Sequence, residues 1–210
     1  KEIAKLGGNI DKFVTEDIAF AINSKFKNKK KGLEMALKKK KVTKKGAKKN
    51  IVLETNKGKI TIELLNDLAP NHCKRILQLS KDKFFDDVVF HRVIDGFMAQ
   101  TGDGQFGSLK NGLQSDRVGM GGSDLPDLEA EFTSEPFVRG IVGMARSQNP
   151  NSANSQFFIM LEDSMHLNNQ YTVWGKVLKG MDVVDTIKKG DQSDNGKVDE
   201  PDFIKTIKNV

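Results

Sequence analysis

The chain has 210 residues, of which 37% are hydrophobic and 30% are charged, and its mean hydropathy is −0.47. This length suits one domain with an extension or two small domains, and no apolar run approaches the roughly 18 residues that a membrane-spanning helix needs. A single cysteine, Cys73, excludes an internal disulfide framework and fits a reducing compartment, so we expect a cytoplasmic location. Because the chain begins at Lys1, a removed signal peptide and a periplasmic or exported location stay an alternative.

The positive charge is concentrated in the first 50 residues. The formal net charge is +6. Residues 1–50 contain 16 lysines and 5 acidic residues, whereas the remainder contains 18 basic and 23 acidic residues. A basic N-terminal extension, residues 1–50, is therefore predicted to precede a mildly acidic domain, residues 51–210.

The extension divides into two parts. Apolar residues recur at steps of three and four over residues 10–26, which predicts an amphipathic helix, and a lysine-rich linker follows over 27–50. Three interpretations stay open. In the first, the helix packs on its own domain beside a solvated linker. In the second, residues 27–49 contact a polyanion such as RNA, the ribosome or an anionic membrane. In the third, the segment docks on a protein partner.

Short β-like runs dominate the rest of the chain. Two alternating runs, 51–55 and 59–65, flank Asn56-Lys57-Gly58, a combination typical of a β-hairpin. Helical spacing is found over 68–79 and again over 181–188. Further β-like runs lie at 88–93, 97–100, 141–145, 157–161, 172–177 and 203–207. Many short strands and two helices favour a mainly β fold, a closed antiparallel barrel, over a βαβ sheet.

Several motifs with known chemistry are incomplete. Residues 102–107 match G-x-G-x-x-G, but no helix start follows them, and a dinucleotide-binding loop needs one. Residues 191–196, with Asp202, faintly resemble a calcium loop that lacks its final glutamate, so a turn is the better interpretation. The three histidines show no metal-ligand spacing, and no nucleophile elbow is present. We therefore expect neither a metal nor any other cofactor.

One segment, residues 90–103, is rich in residue types that suit a binding site. It places Arg92 and Gln100 on neighbouring predicted strands, together with Phe97 and Met98. The two apolar residues alone would fit a core. An unpaired arginine does not, because burying its charge in a barrel interior is costly.

Four stretches of the sequence resemble the cyclophilin family of peptidyl-prolyl cis-trans isomerases. The resemblance extends from about Ile51 to Val210 and is strongest to bacterial-type members. It implies an eight-stranded closed barrel capped by two helices, with proline-containing peptides and unfolded proteins as partners. The four stretches are 90–103, 140–145, 155–159 and 171–177.

The resemblance also implies roles for single residues. Arg92 falls on the catalytic arginine of the family. Gln100 beside it, with the segment around Ala145 and Arg146, falls on positions that hold the substrate backbone. The proline pocket falls on Phe97, Met98, Phe158 and Leu167.

Two positions at the rim of that pocket depart from the best-known family pattern. His166 stands where many members have tryptophan, and Tyr171 stands where many have histidine. We expect these departures to weaken cyclosporin binding more than isomerase activity, because the arginine and the pocket residues are unchanged.

The predicted reaction needs few chemical groups. Rotation about an X-Pro bond makes and breaks no covalent bond, so it requires neither a nucleophile nor a metal. The twisted amide nitrogen regains a lone pair, and a guanidinium aimed at it stabilises the transition state more than the planar ground state. The alternative is a binding module or chaperone that captures proline segments and whose role is set by the basic extension.

Overall fold

A single antiparallel sheet organises residues 49–210, the part of the chain that this computed structural model describes. Two helices accompany it, α1 (Pro70–Lys81) and α2 (Met181–Asp185), with single 3-10 turns at Met165–Leu167 and Gln192–Asp194. The strands are β1 (Asn50–Thr55), β2 (Lys59–Leu64), β3 (Val88–Val89), β4 (Arg92–Ile94), β5 (Met98–Thr101), β6 (Ile141–Met144), β7 (Phe157–Met160), β8 (Val173–Lys179) and β9 (Phe203–Asn209).

The order of strands in the sheet is β3-β9-β1-β2-β8-β6-β7-β5-β4. Its first and last members, β3 and β4, are separated along the chain by only Phe90 and His91. The two ends of the sheet therefore meet in one stretch of backbone, and the sheet curls round on itself. The predicted strand at 88–93 is divided into these two segments, so the eight predicted strands become nine.

The sequence-based elements are otherwise confirmed. A strand lies within or overlaps every predicted β-like run, β1 and β2 form the predicted hairpin, and the helices begin at residues 70 and 181. The fold is mainly β, as predicted. The predicted helix at 10–26 and most of the lysine-rich linker lie outside the described residues. Within residues 49–210, no helix has the length and apolar character needed to cross a membrane.

The larger apolar cluster fills the inside of the curled sheet. Strands from all round the sheet contribute to it, as does the buried face of α1. Phe157 lies at its centre, with ring centroids 5.8 Å from Phe85 and 5.4 Å from Trp174, both in edge-to-face geometry. Cys73 of α1 belongs to this cluster, and burial raises the pKa of its thiol to about 12.

A smaller apolar cluster lies on the opposite face of β5, β6 and β7. Successive side chains of a strand point to opposite faces, so Phe157 enters the larger cluster while its neighbour Phe158 enters the smaller one. Phe137 and Leu167, which lie outside the strands, also belong to this second cluster. The outer face of the sheet thus carries its own apolar floor.

The side chain of Glu131, from a distant loop, anchors α1 at its N-terminus. Its N-cap residue, Ala69, offers no side-chain acceptor. Instead the carboxylate of Glu131 accepts hydrogen bonds from the backbone N–H groups of Asn71 and His72 and, at 2.7 Å, from Nδ1 of His72. A negative charge here also suits the positive end of the helix dipole. The loop that contains Glu131 is therefore fixed to α1.

The first prediction concerns this remote cap. Glu131→Gln should lower the free energy of unfolding by about 1–2 kcal/mol, the usual cost of losing a cap with a charged acceptor, and the melting temperature by roughly 2–8 °C. The matched control is Glu129→Gln, because Glu129 is exposed and two residues away. Equal melting temperatures for the two variants would contradict the assignment.

The effect should depend on pH. Burial alone would raise the pKa of Glu131, but its hydrogen bonds from His72 and Asn71 outweigh burial and place the pKa below the ordinary value of 4.5. A carboxyl whose pKa is lowered by folding contributes stability above its ordinary pKa and loses it as the pH falls further. The difference between wild type and Glu131→Gln in chemical denaturation should therefore shrink below pH about 4.5.

Candidate active site

Nine of the ten candidate site residues line one cavity of about 190 Å³ on the outer face of the sheet. The tenth, His166, lies beside this cavity and stacks on Phe97, with ring centroids 5.8 Å apart and ring planes 28° from parallel. The structure therefore brings residues from 92 to 171 into one place. The cavity is lined by Arg92, Phe97, Met98, Gln100, Ala145, Arg146, Phe158, Leu167 and Tyr171.

Strand register places the central residues in a row. Arg92 of β4 lies opposite Gln100 of β5, and Gln100 lies opposite Phe158 of β7. Side chains of paired residues share a face of the sheet. Met98, two residues before Gln100, shares that face through the period of two in a strand.

Three hydrogen bonds to oxygen atoms, and a longer one to the sulfur of Met98, hold the guanidinium of Arg92. Its Nη1 donates to Oε1 of Gln100 at 3.1 Å. On the other side, its Nε donates to the backbone carbonyl of Asn195 at 3.0 Å and its Nη2 donates to Oδ1 of Asn195 at 2.9 Å. Burial lowers the pKa of Arg92 from its ordinary value, against an opposing effect of Tyr171. An arginine pKa starts so high that the group stays charged at neutral pH.

Asn195 was not among the predicted site residues. Residues 191–196 were predicted to form a turn, and the structure has a turn there, with Asn195 in the left-handed region at φ 51°. The side chain of Asp191 accepts a hydrogen bond from the backbone N–H of Ser193 and shapes this turn. Within residues 49–210, no group of three or more His, Cys, Asp or Glu residues could hold a metal ion. The turn holds the arginine instead.

A second missed residue, Gln156, supports Gln100 from behind. Nε2 of Gln100 donates to Oε1 of Gln156 at 3.1 Å, and Nε2 of Gln156 donates to the backbone carbonyls of Gly119 and Gly121. Because Arg92 can only donate, the oxygen of Gln100 must face it, and the orientation of both amides follows. Gln156 lies two residues before Phe158, so the alternation of the strand was a usable signal.

The G-x-G-x-x-G segment contributes to this network through a carboxylate. Asp103 is fully buried, and its oxygens accept hydrogen bonds from the backbone N–H groups of Gln105, Phe106, Gly119 and Gly121. Turns, not a helix, follow residues 102–107, which agrees with the interpretation of an ordinary loop. Asp103 thus fixes the loop whose carbonyls hold Gln156.

The floor of the cavity is apolar, and its side chains are already packed against one another when no ligand is bound. Met98, Phe158 and Leu167 are all buried. Phe137 stacks behind Phe158 at 5.8 Å, and Gly143, opposite Phe158 in the register, leaves the space for both rings. A Cβ atom added at Gly143 would lie 2.5 Å from the Phe158 ring. The hollow therefore exists without any ligand, as binding sites for small apolar groups usually do.

Arg146 is more constrained than the sequence indicated. Its Nε and Nη2 both donate to the carbonyl of Gln170, at 3.0 and 2.9 Å, and its Nη1 donates to the carbonyl of Ser147 at 2.8 Å. The guanidinium also lies over the ring of Tyr171, 4.6 Å from its centroid. Most of its N–H groups are thus used within the protein. Its charge, more than its hydrogen bonds, is what it presents to a ligand.

A larger and more polar cavity, of about 440 Å³, adjoins the first. The two share Gln100, Ala145 and Arg146. Among the other residues lining the larger cavity are Asp127 and Asn154. Arg75 of α1 fixes this wall, because its Nη1 donates to the carbonyl of Asn154 and its Nη2 donates to the carbonyl of Pro126. An extended chain with one residue in the small cavity has room to continue here.

Comparison with known proteins gives matches to one family. The family described as cyclophilin type peptidyl-prolyl cis-trans isomerase matches residues 50–209. A probable peptidyl-prolyl cis-trans isomerase of Brucella suis is 58% identical over 154 residues, which are 73% of this chain and 79% of that protein.

Solved structures give the same result. A cyclophilin from Hirschia baltica is 27% identical, with a TM-score of 0.64, over 76% of this chain and 73% of that one. A cyclophilin type isomerase of Cryptosporidium parvum, solved in the presence of the dipeptide Ala-Pro, is 30% identical, with a TM-score of 0.65, over 75% of this chain and 96% of that one.

Proposed function

Because this chain belongs to the cyclophilin family and is a peptidyl-prolyl cis-trans isomerase, we propose that Arg92 stabilises the twisted X-Pro amide while the apolar floor of the small cavity holds the proline ring. The observation that carries this proposal is the position of the Arg92 guanidinium, which is held from two sides at the wall of that cavity. The substrates are proline-containing segments of peptides and unfolded proteins.

The energy required is modest. An amide must pass a barrier of about 18–20 kcal/mol to rotate, and an unassisted X-Pro bond takes tens to hundreds of seconds. Turnover in about 10 ms needs roughly a 10⁴-fold gain, or about 5.4 kcal/mol. One well-placed charged donor and a pocket that holds the ring are sufficient for a gain of this size.

The geometry suits a donor that acts only in the transition state. In the planar amide the nitrogen lone pair is delocalised and accepts no hydrogen bond, but in the twisted amide it is available. The guanidinium of Arg92 is half-buried and held by Gln100 and Asn195. It therefore needs little reorganisation when the lone pair forms.

The cavity residues hold the parts of the substrate that must not move. Met98, Phe158 and Leu167 form an apolar floor for the pyrrolidine ring. Gln100 lies at the junction of the two cavities and contacts the chain beside the proline. With the ring and one side of the chain held, rotation is confined to the X-Pro bond.

The second prediction tests the arginine and its support. Arg92→Ala should lower kcat/KM for a proline tetrapeptide by roughly 10²–10³-fold, the usual cost of removing a transition-state donor. Asn195→Gly should lower it by about tenfold, because one charge-assisted hydrogen bond is lost. Glycine keeps the left-handed conformation at this position without strain.

The matched control is Asn169→Gly, because Asn169 is also left-handed, at φ 58°, and exposed. A protease-coupled assay measures activity, and circular dichroism checks the fold. A folded Arg92→Ala variant with nearly full activity would show that the catalytic assignment is wrong. A wild-type protein that binds the tetrapeptide without accelerating its isomerisation would support a binding module instead.

We also propose that cyclosporin binds weakly, because of the pocket rim. His166 is exposed and stacks on Phe97. An imidazole offers less apolar area to a ligand than an indole, and area removed from water sets much of the affinity of an apolar ligand.

The third prediction follows from that rim. His166→Trp should strengthen inhibition by cyclosporin, measured in the same tetrapeptide assay. The control is Met165→Trp, which adds an indole to the neighbouring, half-exposed position without replacing the residue that stacks on Phe97. Equal inhibition of wild type and His166→Trp would show that the residue at position 166 does not affect cyclosporin binding.

For residues 27–49 we propose contact with a polyanion such as RNA. This segment contains 12 lysines and one acidic residue, whereas residues 51–210 have an excess of five acidic residues. An anionic partner would be repelled by the acidic part and attracted by the lysines. Binding of this kind releases counterions, so it weakens steeply with salt and shows little sequence preference.

The fourth prediction uses the full chain. Replacing Lys38, Lys39, Lys40 and Lys41 by glutamine should reduce binding to a single-stranded RNA and lower the slope of log affinity against log salt. The control replaces four exposed lysines of the described part by glutamine, namely Lys74, Lys110, Lys176 and Lys205. Both variants lose four charges, so an equal loss of RNA affinity would reject the segment as the binding site.

A further inference from the structure

Among residues 49–210, neither cationic group of the small cavity has a carboxylate partner. The described residues that line this cavity include two guanidinium groups, those of Arg92 and Arg146, and no acidic residue. Among residues 49–210, neither arginine has an acidic oxygen within 4 Å, although five other side chains of Lys or Arg do. Among residues 49–210, the acceptors of the two guanidinium groups are neutral amide and carbonyl oxygens and, for Arg92, the thioether sulfur of Met98.

This local positive charge contrasts with the rest of the described chain. Residues 49–210 contain 19 basic and 23 acidic residues. Two cations without a carboxylate partner among residues 49–210 favour an anionic group of a ligand at this site, although the described chain as a whole is mildly acidic. The walls around it are partly apolar, which strengthens the field compared with open water.

From these contacts we infer that the site prefers substrates with an acidic side chain next to the X-Pro bond, and that Arg146 confers this preference. The inference rests on the function proposed above and deepens it by naming a substrate class. Arg92 is engaged with Gln100 and Asn195 at the catalytic position. Arg146 instead lies at the boundary between the two cavities, where the residue adjoining the proline must pass.

The internal hydrogen bonds of Arg146 support this role. They fix the guanidinium over Tyr171 without cancelling its charge, because the carbonyls of Ser147 and Gln170 are neutral. A substrate carboxylate then meets a positioned charge and does not have to immobilise a flexible side chain. Less side-chain entropy is lost than in an ordinary surface ion pair.

The larger cavity limits how far the preference extends. Among its lining residues is one carboxylate, that of Asp127, whose Oδ1 accepts a hydrogen bond from Nδ2 of Asn154. An acidic substrate residue near Asp127 would be repelled. The preference for a negative charge should therefore be strongest next to the proline and should fade along the chain.

The experiment compares tetrapeptides that differ in one residue. Glutamate, glutamine or lysine is placed directly before the proline in one series and directly after it in another. The catalysed rate of each peptide is divided by its own uncatalysed rate, measured by NMR exchange without a coupling protease. In the series that places the residue beside Arg146, wild type should turn over the glutamate peptide about two- to fivefold more efficiently than the glutamine peptide, a ratio expected of a partly exposed ion pair.

Three variants locate the cause. Arg146→Gln should bring the ratio of glutamate to glutamine close to one, and Arg146→Lys should keep part of it. Arg117→Gln removes the same charge from an exposed arginine that lies over Phe106 and outside both cavities, and it should leave the ratio unchanged. Because only ratios within one variant are compared, a general loss of activity in Arg146→Gln cancels. In wild type the ratio should also fall as salt is added.

The outcomes separate this inference from the function on which it rests. A ratio of one in both series of wild type, or an unchanged ratio in Arg146→Gln, overturns the charge preference while isomerase activity stands. If wild type accelerates none of the peptides, the proposed function fails. In that case the dissociation constants of the glutamate and glutamine peptides test the charge preference. Equal dissociation constants overturn the preference, and tighter binding of the glutamate peptide supports it.

Discussion

The position of one guanidinium depends on segments that are far apart in the chain. Arg92 is held by Gln100, eight residues later, and by Asn195, more than a hundred residues later. Arginine has several rotatable bonds, and an unsupported side chain would populate many rotamers. Hydrogen bonds from two sides remove most of this freedom before a substrate arrives, and a donor that is already in place contributes most to transition-state stabilisation.

The support of Arg92 continues into the loops. Gln100 is oriented by Gln156, which is held by the carbonyls of Gly119 and Gly121, and the buried carboxylate of Asp103 fixes these glycines in turn. In each of these hydrogen bonds, one group donates and the other accepts. The loop between β5 and β6 thus supports the site, although none of its residues is among the described residues that line the small cavity.

A single sheet supplies both the core and the site because its two faces are used differently. Phe157 packs inside against Trp174, while Phe158 forms the outer floor with Met98 and Leu167. The packing of the larger cluster inside the sheet therefore helps to set the shape of the cavity floor on the outer face. Helix α1 extends this rigidity to the larger cavity, since Arg75 holds the carbonyls of Asn154 and Pro126.

The sequence by itself determined the class of fold, the hairpin, the helices and the set of residues around Arg92, because these depend on local alternation, on turn residues and on motifs contained in short stretches. Tertiary structure alone decided the division of the strand at 88–93 and the hydrogen bonds between Arg92 and Asn195. Register and hydrogen bonds between residues a hundred positions apart leave no periodic signal in a sequence. The position of Arg146 was decided in the same way, because only the folded chain brings the carbonyl of Gln170 to its guanidinium and leaves that guanidinium without a carboxylate partner within 4 Å among residues 49–210.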